Sequence, residues 1–373
     1  MLKIMIITVC YNEKERLEKT IESVCCQTYD NIEYLIIDGA STDGTIQMVQ
    51  KYLKCHNISF YSEKDYGLYN AMNRGIVRAS GDYVYFMNAG DTFYNAQVLA
   101  QVVSYIGEDK GTIYYGKTCK IYADGLRQIE DLTQSDMNLE ETIADGCMPC
   151  HQSIFSPRKT LTNHYFREHY KIRADFEWLL YSITRGCSYK AIPIIISYYD
   201  VSGISSRLKN IKLLKKEEKE ILEEYKSILA QKQIRIPEHN LAVMKAEIFK
   251  YTSLFQLMNY WLILKQRNLS IGKLLRKKDY KHIAIYGMSH VGLSLFGELK
   301  NEEIMIDYAI DRNAHNLNMD IKIVSPEEEF DEVDVIIVTA LDCYNEIEKN
   351  LEGKINCPII SLEDLLYEVG QTA

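Results

Sequence analysis

The chain has 373 residues, 47% of them hydrophobic and 25% charged, which excludes disordered and collagen-like proteins. Its formal net charge of −9 gives no global basic field for binding nucleic acid. No window reaches the roughly 18 continuous apolar residues of a membrane span, and the start lacks a signal-peptide pattern. We therefore expect a cytoplasmic protein, with peripheral contact at the inner face of a membrane left open.

Residues 1 to about 110 alternate strand-like and helical segments. The strand-like runs are KIMIITV, IEYLIID, ISFYSE and YVYFMN, each followed by apolar residues three and four apart. This alternation predicts an α/β fold with a parallel sheet, whose ligands bind beyond the carboxyl ends of the strands. Asp38 and Asp91 fall at that edge, where they predict a site for a divalent cation and a diphosphate. Helix capping alone is the alternative for one of the nearby acids.

The remaining chain divides into three regions. Mixed signals from about 112 to 205 are expected to complete the sheet, and the charged residues 207–280 predict a helical region with a solvated face. Basic and apolar residues within 250–280 fit either an anionic membrane surface or interdomain packing, and both readings stay open. From Lys281 onward, strand, turn and helix patterns predict a small separate α/β unit.

The stretch CMPCH, Cys147 to His151, matches the C-x-x-C-H pattern of haem attachment, and C-x-x-C alone is half of many zinc or redox sites. The sequence shows no export signal for haem attachment and no second C-x-x-C to complete a zinc site. The pattern therefore favours ordinary reduced thiols.

Two long stretches resemble a known family. TVCYNEKERLEKTIESVCCQTYDNIEYLIIDGASTDGT and SEKDYGLYNAMNRGIVRASGDYVYFMNAGD are similar to the family 2 glycosyltransferases of the GT-A fold, particularly bacterial enzymes of exopolysaccharide and capsule assembly. The resemblance covers residues 1 to about 205. It implies a nucleotide-sugar donor, a divalent cation (Mg²⁺ or Mn²⁺) and inversion at the anomeric carbon.

The resemblance also assigns roles to residues of the donor site. Tyr11 and Asp38 correspond to the positions that contact the nucleotide base, and Asp91 corresponds to the metal-binding carboxylate of the D-x-D motif. Asp65 and Arg74 lie in a segment similar to the donor-side loop and helix, with a turn carboxylate and a surface cation as their alternatives. The further acids of the motif are replaced by Asn88, Ala89 and Gly90; Asn88 can still form hydrogen bonds, whereas glycine cannot replace a carboxylate.

Inversion requires a base that takes the proton of the acceptor hydroxyl. By family position this base is Asp175, with Glu177 as the weaker alternative and helix capping as the structural explanation for Asp175. His151, in a recurrent His-Gln pair, is expected to contact the donor phosphate or acceptor, or to complete the metal shell. A buried structural histidine is its alternative.

The C-terminal unit contains YGMSHVG, followed 24 residues after Gly287 by Asp311 (311 − 287). This resembles a dinucleotide-binding turn, although Ser289 stands in place of the central glycine. The pattern predicts a Rossmann-like accessory domain that binds a nucleotide, a nucleotide-sugar or a partner chain. An NAD-dependent oxidoreductase is a rival reading.

Taken together, these features predict a GT-A domain over residues 1–206, a helical linker over 207–280 and a Rossmann-like domain over 281–373. We expect an inverting glycosyltransferase that uses a UDP- or GDP-linked donor and a glycan or lipid-linked glycan acceptor, without nucleic acid. The sequence leaves a homo-oligomer open. A nucleotide-binding scaffold or sensor without turnover is the alternative from another class.

Overall fold

The computed structural model describes most of the chain. It covers all residues except 54–56, 123–126, 134–137, 202–206, 235–238, 315–316, 318, 320 and 372–373, and it describes only the backbone of 239–247. The chain forms two compact units: the first comprises residues 1–201 and 214–243, and the second comprises 202–213 and 244–373. The predicted domain boundary at residue 206 lies outside the described residues.

A nine-stranded mixed sheet forms the frame of the first unit. Its strands follow the order β3-β2-β1-β4-β8-β6-β9-β5, and β7 pairs with β6. The strands are β1 (Ile4–Cys10), β2 (Ile32–Asp38), β3 (Ile58–Ser62), β4 (Tyr83–Phe86), β5 (Thr92–Phe93), β6 (Ile113–Ile121), β7 (Arg127–Glu130), β8 (Ile154–Pro157) and β9 (Tyr189–Asp200). The four strands predicted at the start of the sequence are present as β1 to β4.

Helices cover both faces of this sheet. Strand β1 is buried along its whole length, and alternate residues enter separate cores: Met5 and Ile7 on one face, Ile4 and Ile6 on the other. This two-sided burial explains why its sequence is continuously apolar. The helices are α1 (Lys14–Cys25), α2 (Thr45–Leu53), α3 (Leu68–Arg78), α4 (Val98–Ile106), α5 (Leu139–Ala144), α6 (Arg158–Asn163), α7 (Ala174–Thr184) and α8 (Ile211–Gln231).

The register of the parallel strands brings the predicted acidic residues to one edge. Strand β1 pairs in parallel with β2, where Cys10 lies opposite Asp38, and with β4, where Ile7 lies opposite Phe86. The chain segments that follow β1, β2 and β4 therefore leave the sheet side by side. In the segment HQSIFS, predicted as a strand, only the second half is extended, because His151–Ser153 form a 3₁₀ turn before β8.

Most of the described residues in the region predicted as a helical linker are helical, and the two units share this region. Residues 214–243 belong to the first unit and 244–280 to the second. The second unit contains α9 (His239–Gln266) from residue 244 onward, α10 (Ile271–Lys277), β10 (Ile283–Tyr286), α11 (His290–Asn301), β11 (Ile306–Ile310), β12 (Lys322–Val324), β13 (Val335–Val338), α12 (Tyr344–Leu351), β14 (Ile359–Ser361) and α13 (Leu362–Gln371). The exact domain boundaries stay a prediction.

The second unit has a five-stranded, fully parallel sheet in the order β12-β11-β10-β13-β14. After β10 the backbone turns at Gly287 with φ +95°, and Met288 N–H donates to Asp311 Oδ2 at 2.7 Å. A side chain at Gly292 would collide with Gly287 O, so α11 can pack against this turn only with glycine there. Asp311 therefore holds the turn, and nucleotide binding by this unit stays a prediction.

Among the described residues, no helix is both long and apolar enough to cross a bilayer. The suggested contact of residues 250–280 with a membrane surface is not tested by this finding and stays a prediction.

The close packing of α3 on β1 leaves no space for a side chain at Gly75. A Cβ at this position would lie 2.7 Å from Ile7 Cγ2, inside the core. Overpacking of this kind costs about 1–3 kcal/mol, which exceeds the gain of about 1 kcal/mol in helix propensity from Gly to Ala. We expect Gly75→Ala to lower the free energy of unfolding, measured by urea denaturation.

The control is Gly297→Ala in α11, where a Cβ would meet no atom within 4 Å. This change should raise stability by about 0.5–1 kcal/mol, because only the helix-propensity term applies. A stabilised Gly75→Ala protein would contradict the described packing.

Candidate functional site

The first group of predicted residues surrounds Gly39, directly after β2. A Cβ at Gly39 would lie 2.6 Å from Asp65 Oδ2 and 3.3 Å from Tyr11 Cδ2, so Tyr11 and Asp65 meet over a position without a side chain. The Tyr11 side chain is 60% exposed, which leaves its ring accessible to a ligand. The structure thus brings together three predicted donor-binding residues: Tyr11, Asp38 and Asp65.

Asp38 is fully buried, and both oxygens of its carboxylate accept hydrogen bonds from other groups of the protein. Oδ1 accepts a hydrogen bond from Ser41 Oγ at 2.5 Å, and Oδ2 accepts from Ser41 N at 3.0 Å and Ser62 Oγ at 2.6 Å. These contacts tie the ends of β2 and β3 to the turn that follows β2. Asp38 therefore shapes this turn.

Arg74 lies on α3 but contacts the preceding loop. Its Nη1 donates to Glu63 O at 3.1 Å, and its Nη2 lies 3.1 Å from Glu63 Oε2. Arg74 is therefore paired with Glu63 in this structure, and its predicted contact with the donor stays a prediction.

A second group links the segment after β4 to the start of α7. The imidazole of His151 lies between them: Nδ1 is 3.1 Å from Asp175 Oδ2, and Nε2 is 2.9 Å from Asn88 Nδ2. This geometry fits a neutral imidazole that carries its proton on Nδ1 and accepts from Asn88 through Nε2. Asn88 Oδ1 is buried without a hydrogen-bond partner among the described residues, so it is available to a ligand donor.

Three groups hold the carboxylate of Asp175. Oδ2 faces His151, while Oδ1 accepts from Phe176 N at 2.9 Å and lies 2.9 Å from the hydroxyl of the buried Tyr69. Burial alone would raise the pKa of this carboxyl, but the hydrogen bond from His151, with Arg173 and Tyr69, holds its pKa below the usual range. Asp175 is therefore ionised and oriented. Sequence reasoning missed Tyr69, whose only signal is its place four residues after Asp65.

Asp91 lies in a third, drier environment. Its Oδ2 accepts from Gln152 Nε2 at 2.6 Å and its Oδ1 accepts from Asp200 N at 3.0 Å, and only 3% of the residue is exposed. Burial raises the pKa of Asp91 to about 7, because these neutral amide donors offset only part of the lost hydration. Asp91 thus connects the segment after β4 to the end of β9 and to the residue that follows His151.

Arg16 explains the glycine that interrupts the acidic motif. A Cβ at Gly90 would lie 2.5 Å from Arg16 Nη2, and Gly90 has φ +101°. The guanidinium of Arg16 also lies 3.2 Å from Asp200 Oδ2 and 3.6 Å from Glu13 Oε2. The space beside residue 90 is therefore filled by a cation that already has two carboxylate neighbours.

The predicted metal site can be compared with these contacts. Within the described ranges, no three His, Cys, Asp or Glu side chains gather in a way that could hold a metal ion. Asp91 has both oxygens in hydrogen bonds, and Arg16 fills the space beside Gly90. As arranged, these residues do not fit a divalent cation, and the metal-binding role of Asp91 stays a prediction. In the CMPCH stretch, Cys150 Sγ donates to Gln152 Oε1 at 2.8 Å.

Glu177, the alternative base, is a structural residue. Its side chain is fully buried, where it lies 2.9 Å from His164 Nε2 and 3.3 Å from Arg167 Nε, and it accepts from the Tyr225 hydroxyl at 2.6 Å. These contacts join α7 to α8 and to the loop after α6. The carboxylate has no surface on which a substrate could bind.

Comparison with known proteins agrees with this architecture. Residues 5–165 match the family model for glycosyl transferase family 2. The chain is 26% identical over 218 residues to a PGL/p-HBAD biosynthesis glycosyltransferase of Mycobacterium bovis, covering 57% of this chain and 82% of the relative. It is 28% identical over 212 residues to an uncharacterized glycosyltransferase of Mycobacterium tuberculosis, covering 54% and 77%.

Solved structures of similar fold include the mannosyltransferase PcManGT from Pyrobaculum calidifontis in complex with GDP-Man and Mn²⁺, with a TM-score of 0.50 and 16% sequence identity. The match covers 69% of this chain and 74% of the mannosyltransferase. At this identity the likeness concerns the fold alone.

The structural role of Glu177 can be measured. We expect Glu177→Gln to lower the free energy of unfolding by about 2–3 kcal/mol, because it weakens charged hydrogen bonds in a fully buried site. The measurement is urea denaturation monitored by tryptophan fluorescence. The control is Glu223→Gln on α8, whose side chain is 68% exposed and whose replacement should change stability by less than about 0.5 kcal/mol. Equal stabilities of the two variants would contradict the network.

Proposed function

Because residues 5–165 match the family model for glycosyl transferase family 2, we propose that this chain is an inverting glycosyltransferase with a nucleotide-sugar donor. The observation that carries the proposal is the hydrogen-bonded series Asn88, His151 and Asp175, which connects the segment after β4 to an ionised carboxylate. The proposed acceptor is a glycan or lipid-linked glycan of bacterial surface polysaccharide assembly. A relative named PGL/p-HBAD biosynthesis glycosyltransferase supports sugar transfer as the class of reaction.

The donor side of the proposal rests on the group around Gly39. The exposed ring of Tyr11 can stack on a nucleobase, while Asp65 lies across Gly39 from it. Asp38 fixes the turn that separates them. Asn88 Oδ1 is a buried acceptor without a partner among the described residues, which supports a hydrogen bond to it from a hydroxyl of the sugar donor. The base of the donor is uracil or guanine.

The chemical step needs one proton acceptor. The acceptor hydroxyl oxygen forms a bond to the anomeric carbon as the bond from that carbon to the diphosphate oxygen breaks, and the hydroxyl proton passes to Asp175. The nucleoside diphosphate leaves with the electron pair of the broken bond. His151 and Tyr69 orient the carboxylate for this transfer.

The localisation that goes with this proposal is cytoplasmic, with access to a lipid-linked acceptor at the inner face of a membrane. A homo-oligomer stays open.

Two measurements test the proposal. Calorimetry with UDP and GDP, each with and without Mn²⁺, measures nucleotide binding, and release of nucleoside diphosphate from UDP- and GDP-linked hexoses measures turnover. We expect one nucleotide to bind wild type and Asp175→Asn with equal affinity, and turnover by Asp175→Asn to fall about 10²–10⁴-fold, the usual contribution of a general base. Unchanged turnover would exclude Asp175 as the base. Nucleotide binding without turnover in the wild type would instead favour the scaffold or sensor. Binding that requires Mn²⁺ and is lost in Asp91→Ala would establish the predicted cation role.

The pH dependence of turnover should report the contacts of Asp175. A base must be deprotonated, so its lowered pKa extends activity to lower pH. His151→Asn and Tyr69→Phe each remove a group that lowers this pKa, and both should therefore shift the acidic limb of kcat/KM to higher pH, His151→Asn by more. Profiles recorded from pH 4 to pH 8 check this, with circular dichroism to confirm folding at each pH. An acidic limb at the wild-type position in both variants would contradict the assignment.

A further inference from the structure

Helix α8 contains two buried acids within a run of lysines and glutamates. Glu217 and Glu218 are 4% and 6% exposed, whereas the side chains of Glu220 and Glu223 on the same helix are 52% and 68% exposed. The sequence pattern predicted a solvated face for this whole run. A buried carboxylate requires partners that replace its hydration, so Glu217 and Glu218 have a different role from their neighbours.

The partners of Glu217 are three consecutive backbone amides. Its Oε1 accepts from Lys171 N at 2.7 Å, and its Oε2 accepts from Ile172 N at 2.9 Å and Arg173 N at 3.0 Å. These residues directly precede α7, which begins at Ala174 and has no side-chain cap from its own N-cap residue. Glu217 therefore provides the acceptors that this part of the chain lacks.

Glu218 attaches the same segment at a second point. Its Oε2 lies 2.5 Å from Arg173 Nη2, which also donates to Gly146 O at 3.0 Å. The Arg173 guanidinium in turn lies over the Phe176 ring, 4.9 Å from its centroid. The segment 171–173 is thus fixed through both its backbone and a side chain.

The position of this segment determines the position of Asp175. The Tyr69 hydroxyl lies 2.7 Å from Ile172 O and 2.9 Å from Asp175 Oδ1, so the segment and the carboxylate share one contact. Asp175 must also stay within reach of His151 Nδ1. A shift of residues 171–173 would therefore move the carboxylate relative to both of its orienting groups.

We propose that Glu217 is a positioning residue for the transfer reaction, which holds the segment before α7 so that Asp175 can accept the proton. The functional unit then extends to α8, beyond the residues 5–165 that match the family model. This inference rests on the proposed function, in which Asp175 is the base. Glu217, a buried residue of the region predicted as a linker, would then influence catalysis through Asp175.

The test uses the full chain with Glu217→Gln, in which an amide group replaces one carboxylate oxygen and faces backbone donors. The probe reaction is release of nucleoside diphosphate from UDP- and GDP-linked hexoses. We expect kcat to fall about 10–100-fold, because small displacements of a reacting group have effects of this size, while the Kd for nucleotide changes less than about twofold. The control Glu220→Gln, on the same helix, should leave both values unchanged.

A double variant separates positioning from general destabilisation. If Glu217 acts only through Asp175, then Glu217→Gln should have no further effect on turnover in an Asp175→Asn background. An equal loss in both backgrounds would overturn the proposal, as would a folded Glu217→Gln protein with wild-type kcat. If Glu217→Gln does not fold, Glu217→Asp keeps the charge but shortens the side chain by one methylene, and a wild-type kcat in that variant would overturn the proposal.

The proposed function fails in a different way. A wild type no more active than Asp175→Asn overturns both the transferase assignment and the positioning role of Glu217. An active wild type with an inactive Asp175→Asn and an unaffected Glu217→Gln overturns the role of Glu217 alone.

Discussion

The contact between Asp175 and His151 is the interaction on which the site depends. A carboxylate that is 9% exposed can stay ionised only if nearby groups replace the water it has lost, and His151 Nδ1 is the strongest of these groups. The same imidazole reaches Asn88 through its other nitrogen. One side chain therefore sets both the ionisation of the proposed base and its distance from the segment after β4, and any rearrangement of that segment also changes the surroundings of Asp175.

Three buried carboxylates near the carboxyl ends of the strands differ because their partners differ. Asp38 accepts from two hydroxyl groups and a backbone amide and shapes a turn. Asp91 has only neutral amide donors, so burial dominates and raises its pKa to about 7. Asp175 faces an imidazole and has a lowered pKa. Carboxylates of similar burial thus take different chemical states, which is how one fold can supply structural and reactive acids at the same edge.

The sequence was sufficient to predict β1 to β4 and the edge where Asp38 and Asp91 lie, because strand periodicity and parallel topology together determine which residues reach that edge. It was not sufficient to predict which of these carboxylates already accept hydrogen bonds from other groups of the protein. The partners of Asp38 come from the turn after β2 and from the end of β3, and Glu217 accepts hydrogen bonds from amides 44 to 46 residues earlier in the chain. Every residue type except proline has a backbone amide, so motif analysis cannot detect hydrogen bonds from backbone amides to a distant carboxylate. The Lys/Glu run around Glu217 further obscures it, because buried and exposed glutamates alternate with the turn of the helix.

The contact of α8 with the segment before α7 also constrains how such enzymes can evolve by exchange of their C-terminal parts. A recombination junction at residue 206 would pair the residues around Asp175 with a foreign helix, and the three amides that Glu217 accepts would lose their partner unless that helix carried an equivalent acid. A junction beyond Gln231 would transfer α8 together with the sheet it serves. Viable chimeras should therefore inherit α8 with the N-terminal parent, so the heritable module is longer than the stretch in which family resemblance is detected.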